Sequence, residues 1–230
     1  MASRTSSTSS ALPSPEPLLL ATRSDDKARE IRAILGSLSP RPIRTLVDLA
    51  IPESPDEDAI ESESTFRGNA LAKARYFHAL TGLDTIADDS GIQVDALLGA
   101  PGVRSRRFSG ASLRGSELDR ANNDTLLEAL ALTPPARRGA RYTCAAVLLL
   151  RDRPPLTALA STTGRILSQP RGDGGFGYDP LFLLPPFDRT FAEIPPSEKH
   201  RVSHRGRAFR ALAAVFPAAS DLHSHTHSQG

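Results

Sequence analysis

The sequence predicts an α/β protein built on a mixed β-sheet. Apolar strand-like runs and amphipathic helical segments follow one another in the order β-α-β-α-β-α-β-β-β-α. Two longer strand-like runs, residues 140–150 and 156–167, flank the Pro-containing turn 152–155 and predict an antiparallel hairpin. Strands that alternate with helices, together with one hairpin, are typical of a mixed sheet with helices packed on it.

Local signals justify each element in chain order. Ser24 is placed to cap a helix, Gly36 ends that helix, and Gly82 lies just past the end of another. The residues between 48 and 64 are acidic, contain Pro and predict a loop. The other elements are predicted as follows: strands at 17–22, 42–47, 85–87 and 180–184, and helices at 24–35, 66–80, 112–130 and 203–216.

The composition excludes several classes of protein. The 230 residues are 39% hydrophobic and 23% charged, which is ordinary for a globular chain and too apolar for a disordered one. The longest apolar runs are far shorter than the roughly 20 residues that span a bilayer. One cysteine excludes an internal disulfide framework, and a net charge of +2 is not that of a general nucleic-acid binder. We therefore expect neither a nucleic-acid nor a membrane partner.

The composition of both terminal segments predicts disorder. Residues 1–17 are rich in Ser, Thr and Pro and lack the apolar run of a secretory signal, although an organelle-targeting role for them stays open. Residues 217–230 carry three alternating histidines. We expect one domain at residues 18–216, between two disordered extensions, in a cytoplasmic protein.

The first candidate for chemistry is the turn from the first strand into the first helix, residues 22–27. A helix start offers free backbone N–H groups and a positive dipole end, and Lys27 could reach a phosphate oxygen. Asp25 and Asp26, however, bring negative charge to the same place. Taken alone, the segment is more simply a capped surface helix.

The second candidate is the Asp88-Asp89-Ser90-Gly91 run at the end of a short strand. Carboxylates at a strand end suit Mg²⁺ and the activation of water, but an Asp-rich turn has the same composition. Adjacent side chains on a strand point to opposite faces, so we expect only one of the two carboxylates to face a site. Glu61, in the acidic loop, could supply a further carboxylate, whereas Glu63 is interpreted as solvated.

The third candidate is the glycine-rich segment 172–180, in which three glycines surround Phe176. Glycines permit unusual backbone angles, and an aromatic ring on such a loop can stack on a base. The alternative is a plain loop with Phe176 in the core. The density of glycine, followed by Tyr178, Asp179 and Pro180, favours a functional loop.

The fourth candidate is Lys199 followed by Ser203-His204-Arg205-Gly206 at the start of the last helix. The planar fork of donors on Arg205 suits a phosphate or the acceptors of a purine. A lone histidine at a helix start is more often a capping or surface residue. Its combination with Lys199 favours ligand binding.

These four segments, in this order and spacing, resemble the inosine triphosphate pyrophosphatase family. The match carries the pieces ATxxxxK, ADDSG, GAPG, GGFGYDP and SHRG and covers residues 18–216. The resemblance implies an elongated mixed sheet flanked by helices, a nucleotide cleft between two lobes, and a homodimer. It also implies a Mg²⁺-dependent enzyme that hydrolyses ITP, dITP and XTP to the monophosphate and pyrophosphate.

The resemblance further implies roles for individual residues. Asp89 is implied as general base and metal ligand, and Glu61 as the second metal carboxylate. A 6-oxo purine accepts hydrogen bonds where adenine donates them, so donors on Lys199 and Arg205 would favour the oxo base. The implied substrate contacts are Thr22, Arg23, Ser24, Asp25, Asp26, Lys27, Lys73, Ser90, Phe176, Gly177, Tyr178, Asp179, Lys199, His204 and Arg205.

The sequence also departs from the family pattern. The phosphate loop of the family usually reads TGNxGK, whereas this chain has Arg23, Ser24 and Asp26 in place of the Gly, Asn and Gly. Gly68 stands where the family often has Glu. We expect an active enzyme in which these changes lower phosphate affinity and rate.

Two other interpretations stay open. A Maf-like pyrophosphatase would act on other nucleotides, but GGFGYDP and SHRG do not favour it. A nucleotide-binding protein without turnover would be compatible with the altered phosphate loop, yet it would have no use for Asp89 and Glu61.

Lysine usage adds an independent observation. Only three of the 28 basic residues are lysines, and Lys27, Lys73 and Lys199 each lie in a stretch that matches the family pattern. A compact ammonium is not interchangeable with a guanidinium fork. We therefore expect these lysines to serve the site rather than the surface.

Overall fold

The fold is described by a computed structural model that covers residues 16–36 and 38–216. The predicted extensions fall outside these ranges, except for Glu16 and Pro17. The backbone oxygens of these two residues accept hydrogen bonds from the Arg41 guanidinium. In the part of the chain that the structure covers, no helix is long and apolar enough to cross a membrane.

Seven strands of the part of the chain that the structure describes form one mixed sheet, which confirms the predicted fold class. Its order is β2-β1-β3-β4-β5-β6-β7; β1 pairs in parallel with β2 and β3, and every other neighbouring pair is antiparallel. The predicted hairpin is the pair β4–β5. The strands are β1 Leu18–Ala21, β2 Ile43–Thr45, β3 Thr85–Val94, β4 Gly139–Leu149, β5 Leu156–Ile166, β6 Phe182–Leu184 and β7 Arg189–Thr190.

Six α-helices accompany this sheet within the described residues. Ser24 caps the first through its side chain, and Gly82 ends the third in the left-handed conformation with φ 69°. The helices are α1 Asp25–Leu35, α2 Glu57–Ile60, α3 Phe66–Thr81, α4 Gly115–Ala129, α5 Pro196–Val202 and α6 His204–Ala213. Short 3₁₀ helices span Asp95–Leu97, Gly102–Arg107, Pro135–Arg137 and Pro185–Phe187.

Strand β3 differs most from the sequence prediction. The prediction ended it at residue 87 and left residues 88–91 as either the strand end or an Asp-rich turn, but the strand continues to Val94 and pairs with β4 along its whole length. Pairing with β4 satisfies the backbone of the acidic run, which overrides the turn preference of Asp, Ser and Gly. Gly91 is needed for close packing, because a Cβ there would overlap the Gly102 carbonyl oxygen and the Ser105 hydroxyl.

Two further differences concern helices. The predicted acidic loop, residues 48–64, contains the one-turn helix α2. The predicted last helix is preceded by α5, and Ser203 separates the two with an extended backbone while its side chain caps α6. The short strand β7 had no counterpart in the prediction.

The period of two along the strands divides the core between the two faces of the sheet. Leu18 and Leu20 pack with α1 and α6 on one face, whereas Leu19 and Ala21 pack with α3 on the other. A third cluster lies around Phe182. It joins the C-terminal end of β3 and the N-terminal end of β4 to β6 and to the C-terminal half of α4. The same alternation continues along β3 and decides where its acidic residues point.

Candidate active site

The site begins where β1 ends. Strand β1 stops at Ala21, while its parallel neighbour β3 continues into Asp88, Asp89 and Ser90. The chain after β1 turns into α1, whose N-terminus therefore lies beside the acidic part of β3. Lys27 Nζ lies 3.3 Å from Asp88 Oδ2. Ligands of α/β folds commonly bind at such a carboxyl end of parallel strands.

Asp88 points to the face of the sheet that carries α1 and α6. It is fully buried, and its Oδ2 lies within 3.5 Å of Arg205 and accepts from the Ser90 hydroxyl at 3.3 Å. Burial alone would raise the pKa of Asp88, but Lys27 and Arg205 outweigh burial and hold the pKa well below its usual value. Asp88 is therefore an ionised counter-charge for these cations.

Asp89 points to the opposite face, towards α3. Its Oδ2 accepts a hydrogen bond from Asn69 Nδ2 at 2.9 Å, and its Oδ1 accepts from the Ser90 N–H at 2.9 Å. Burial raises the pKa of Asp89 and Glu61 adds to the effect, while Lys27 and Lys73 partly offset it. A carboxylate with a raised pKa, held in place by an amide, is suited to accept a proton.

Glu61 and Lys73 complete this end of the site. Lys73 Nζ forms an ion pair with Glu61 Oε1 and donates to the Asp88 carbonyl at 3.0 Å. Burial would raise the pKa of Glu61, but Lys73 and Lys27 outweigh burial and lower it. The Glu61 carbonyl accepts from Arg107 Nη2 at 2.9 Å. Two ionisable carboxylates, Glu61 and Asp89, thus lie near the two lysines.

The side chains of the predicted phosphate loop, residues 22–27, have different partners in the structure. Thr22 Oγ1 accepts from the Ser24 N–H at 3.2 Å, and Ser24 Oγ accepts from the Lys27 N–H at 3.3 Å. Asp26 pairs with Arg29 at the surface, at 3.0 Å. Asp25 lines a surface cavity beside β2 to which neither β3 nor residues 176–179 contribute.

The Arg23 side chain forms all its hydrogen bonds with the acidic loop. Its guanidinium turns to the acidic loop and donates to Glu57 at 2.6 and 2.9 Å. The backbone oxygens of Ile51 and Pro52 accept two more of its N–H groups, both at 2.7 Å. The Arg23 side chain, which was predicted to contact the substrate, therefore already binds Glu57 and two backbone carbonyls of the acidic loop.

Phe176 lies at the other end of the site. The ring is half-buried, with Lys199 Nζ at 4.9 Å and the Arg205 guanidinium carbon at 5.5 Å from its centroid. The Phe176 N–H donates to Asp179 Oδ2 at 2.8 Å. Gly175 has φ 71°, and a Cβ there would overlap the Asp179 carboxylate, so the loop requires glycine at this position.

Lys199 and Arg205 are held together by a residue that sequence reasoning missed. Glu30 of α1 accepts from Lys199 Nζ at 2.6 Å and from Arg205 Nη1 at 2.6 Å. Lys199 also pairs with Asp179 at 2.5 Å, and Arg205 Nη2 donates to the Ser90 hydroxyl at 2.8 Å. The available signal was helical spacing, because Glu30 lies one turn after Lys27 on the same side of α1.

His204 and Tyr178 are deeply buried. The His204 ring stacks on Tyr142 with centroids 4.5 Å apart and an angle of 4° between the rings. Burial, reinforced by Arg205, lowers the pKa of His204 well below its usual value, so the imidazole is neutral. The Tyr178 hydroxyl donates to the Ser105 carbonyl at 2.8 Å. Tyr142 links the two residues, because its hydroxyl oxygen accepts a hydrogen bond from the Tyr178 N–H at 3.1 Å.

Helix α4 holds the glycine-rich loop from the other side. Asp119 Oδ2 accepts from the Gly177 N–H at 2.7 Å, and Asn123 Nδ2 donates to the Gly177 carbonyl at 2.9 Å. These two side chains, like Asn69, were missed by sequence reasoning. Their spacing of four residues on a predicted helix was the only local signal.

The site therefore has two chemically distinct ends. One end combines the Lys27 and Lys73 ammonium groups with three carboxylates, which suits a polyanion and a divalent cation. The other end offers an aromatic ring and the donors of Lys199 and Arg205, which suits a heterocyclic base. Arg205 and Ser90 connect the two ends.

Comparison with protein families and known proteins identifies similar proteins over most of the chain. The model of the Ham1 family matches residues 18–215. A dITP/XTP pyrophosphatase of Frankia alni is 44% identical over 200 residues, covering 86% of this chain and 96% of the relative. The protein of the same name from Xanthomonas axonopodis is 45% identical over 205 residues, covering 88% and 98%.

Solved structures give the same result. The HAM1 protein from Coxiella burnetii is 35% identical with a TM-score of 0.75, covering 87% of this chain and 98% of that one. A nucleoside-triphosphatase, or dITP/XTP pyrophosphatase, from Mycobacterium abscessus is 40% identical with a TM-score of 0.65, covering 88% and 100%. These matches confirm the family resemblance found in the motifs, and this chain belongs to the Ham1 family.

Proposed function

We propose that this protein is a nucleoside triphosphate pyrophosphatase that removes dITP, XTP and ITP from the nucleotide pool. One water adds across the anhydride between the α and β phosphorus atoms, and the products are the nucleoside monophosphate and pyrophosphate. The observation that carries the proposal is Asp89, a carboxylate of raised pKa oriented by Asn69 beside Lys27, Lys73 and Glu61. The names of the relatives support the same activity.

A Mg²⁺ ion fits the carboxylates at this end. No group of three or more Cys, His, Asp or Glu side chains within residues 16–36 and 38–216 is arranged to hold a metal. Mg²⁺, however, often uses one or two carboxylates, several waters and the phosphates of the substrate. Glu61 and Asp89 provide two such carboxylates, and both Asp89 oxygens keep lone pairs beyond their present hydrogen bonds. When bound, Mg²⁺ would offset phosphate charge and make the attacking water more acidic.

The residues of the chain supply the remaining chemistry at this end. Asp89 takes the proton of the attacking water. Lys27 and Lys73 offset the charge of the phosphates, and the free N–H groups at the start of α1 add hydrogen bonds. Asp88 has a different role: it keeps Lys27 and Arg205 in place, and its lowered pKa makes it a weaker base than Asp89.

The other end accounts for selection of the base. Phe176 stacks on the purine, and Lys199 and Arg205 donate to its acceptors. Lys199 uses two of its three donors on Asp179 and Glu30, which leaves one for a 6-oxo group. An adenine amino group in that position would face another donor and leave it unpaired.

The oligomeric state and the cellular location follow from the sequence expectations. We propose a homodimer, because the family resemblance implies one, and a cytoplasmic location, where the nucleotide pool is available. Sedimentation of the purified protein tests the first, and localisation in cells tests the second.

The product and the preferred base test the proposed activity. Purified protein with Mg²⁺ should release pyrophosphate from ITP, dITP or XTP, and ATP should react on the order of 100-fold more slowly or worse. Release of orthophosphate, or equal use of ATP and ITP, would contradict the proposal. Tight ITP binding without any product would instead favour a nucleotide-binding protein without turnover.

A further inference from the structure

The Arg23 side chain joins the turn after β1 to the acidic loop. Its four hydrogen bonds, two to Glu57 and one each to the carbonyl oxygens of Ile51 and Pro52, all go to this loop. The guanidinium carbon also lies 5.6 Å from the ring centroid of Phe77, a buried side chain of α3. One side chain thus ties the loop to a rigid part of the fold.

Glu57 is the point of attachment on the loop. Its Oε1 accepts hydrogen bonds from the Ser54 N–H at 3.1 Å and from Arg23. The Glu57 carboxylate thus connects the Arg23 side chain to the backbone of the loop at Ser54. Arg23 lowers the pKa of Glu57, and Glu57 raises the pKa of Arg23, so the pair stays ionised at neutral pH. The two side chains are 25% and 14% exposed, so solvent only partly screens them.

Glu57 and Glu61 are the two ends of one helical turn. Helix α2 begins at Glu57 and ends at Ile60, and Glu61 follows directly as its C-cap. Fixing the first residue of such a short helix fixes the backbone from which the Glu61 side chain extends. Arg107 holds the other end through the Glu61 carbonyl at 2.9 Å.

We propose that Arg23 and Glu57 are positioning residues that hold Glu61 at the metal end of the site, and that Arg23 is not a phosphate ligand. The inference rests on the proposed function, in which Glu61 is a metal carboxylate. Arg23 stands where the family pattern has glycine, so this attachment is a feature of this chain's own phosphate loop. A lysine could not replace it, because a point charge cannot bind both Glu57 oxygens and two carbonyls at once.

Glutamine substitutions at both residues test this role in the full-length chain. Arg23→Gln and Glu57→Gln should each speed hydrogen exchange of the amides at 54–61 and weaken the binding of Mn²⁺ alone by about tenfold. Because the two residues act as one unit, the double variant should bind Mn²⁺ no more weakly than the worse single variant. The KM for ITP at saturating Mg²⁺ should change little in all three.

Glu53→Gln is a matched control on the same loop. Glu53 pairs with Arg114 across 3.5 Å, but the two side chains are 58% and 84% exposed. The substitution removes one charge near Arg23 but none of the four hydrogen bonds of the Arg23 side chain, so exchange and Mn²⁺ binding should stay close to wild-type values. An effect as large as that of Glu57→Gln would mean that loop charge alone matters, which would overturn the proposal.

Other outcomes separate the two roles of Arg23. A KM for ITP raised tenfold by Arg23→Gln but unchanged by Glu57→Gln would make Arg23 a phosphate ligand and overturn the inference. Unchanged amide exchange in both variants would also overturn it. Exchange and Mn²⁺ binding are measured without substrate. A wild-type protein that fails to hydrolyse ITP would therefore contradict the proposed function and leave the test of the attachment intact.

Discussion

Asp88 and Asp89 are neighbours in the chain but lie on opposite faces of the sheet. Asp88 contacts Lys27 and Arg205 on the face of α1 and α6, and Asp89 contacts Asn69 of α3 on the other. Their environments push their pKa values in opposite directions, downward for Asp88 and upward for Asp89. Two adjacent carboxylates can thereby serve as a fixed counter-charge and as a proton acceptor.

Asp88→Asn should destabilise the protein. It leaves Lys27 and Arg205 without their buried counter-charge, and we expect a loss of about 3 kcal/mol in the free energy of unfolding. Urea denaturation at pH 7 measures this loss, with Asp89→Asn as the control that should lose clearly less stability, because Asp89 is not the counter-charge of a buried cation pair. Equal midpoints for Asp88→Asn and wild type would show that Asp88 is not the counter-charge.

The same residue predicts a pH dependence of stability. Because the folded pKa of Asp88 is lowered, its stabilising effect is full above the unfolded pKa of about 3.9 and is lost as the pH falls further. Wild type should therefore lose stability on acidification below about pH 4 more steeply than Asp88→Asn. Parallel curves for the two proteins would contradict this assignment.

Lys27→Arg and Lys199→Arg should reduce turnover more than stability. The Lys199 side chain is 5% exposed and its ammonium lies between Asp179 and Glu30, where a guanidinium would have to displace one of them. Lys27 is 18% exposed beside Asp88. Steady-state kinetics and thermal unfolding of both variants check the prediction, and wild-type kinetics in both would show that the lysines are incidental.

Gly175→Ala should weaken binding of the base. A Cβ would overlap the Asp179 carboxylate and break its hydrogen bond to the Phe176 N–H, so the KM for ITP should rise more than kcat falls. Gly115→Ala is a suitable control, because Gly115 also has a positive φ, 58°, but open space around its missing Cβ. A similar KM for both alanine variants would contradict a specific role for Gly175.

The sequence was informative wherever the signal was local. Ser24 as a cap, Gly82 as a helix end and the β4–β5 hairpin all follow from neighbouring residues, and the structure confirms them. Strand β3 was predicted too short, because Asp, Ser and Gly also suit a turn and because its partners in β4 lie far along the chain, where no local pattern shows them.

The site was harder to predict from the sequence, because many of its contacts join residues that are far apart in the chain. Glu30 joins Lys199 and Arg205 across contacts between α1 and the last two helices, which no local pattern encodes. The direction of the Arg23 side chain depends on Glu57, which lies 34 residues later in the chain. Motif resemblance names candidate residues, but it carries no information on the partners that a side chain such as Arg23 contacts in the fold.

Asp89→Asn tests whether Asp89 is the proton acceptor, because it removes the basic oxygen and keeps the size of the side chain. Binding of ITP and release of pyrophosphate should be measured on one preparation with Mg²⁺ present. We predict that the variant binds ITP within a few-fold of wild type and releases pyrophosphate on the order of 10²- to 10⁴-fold more slowly. Pyrophosphate release at the wild-type rate would show that Asp89 is not the proton acceptor.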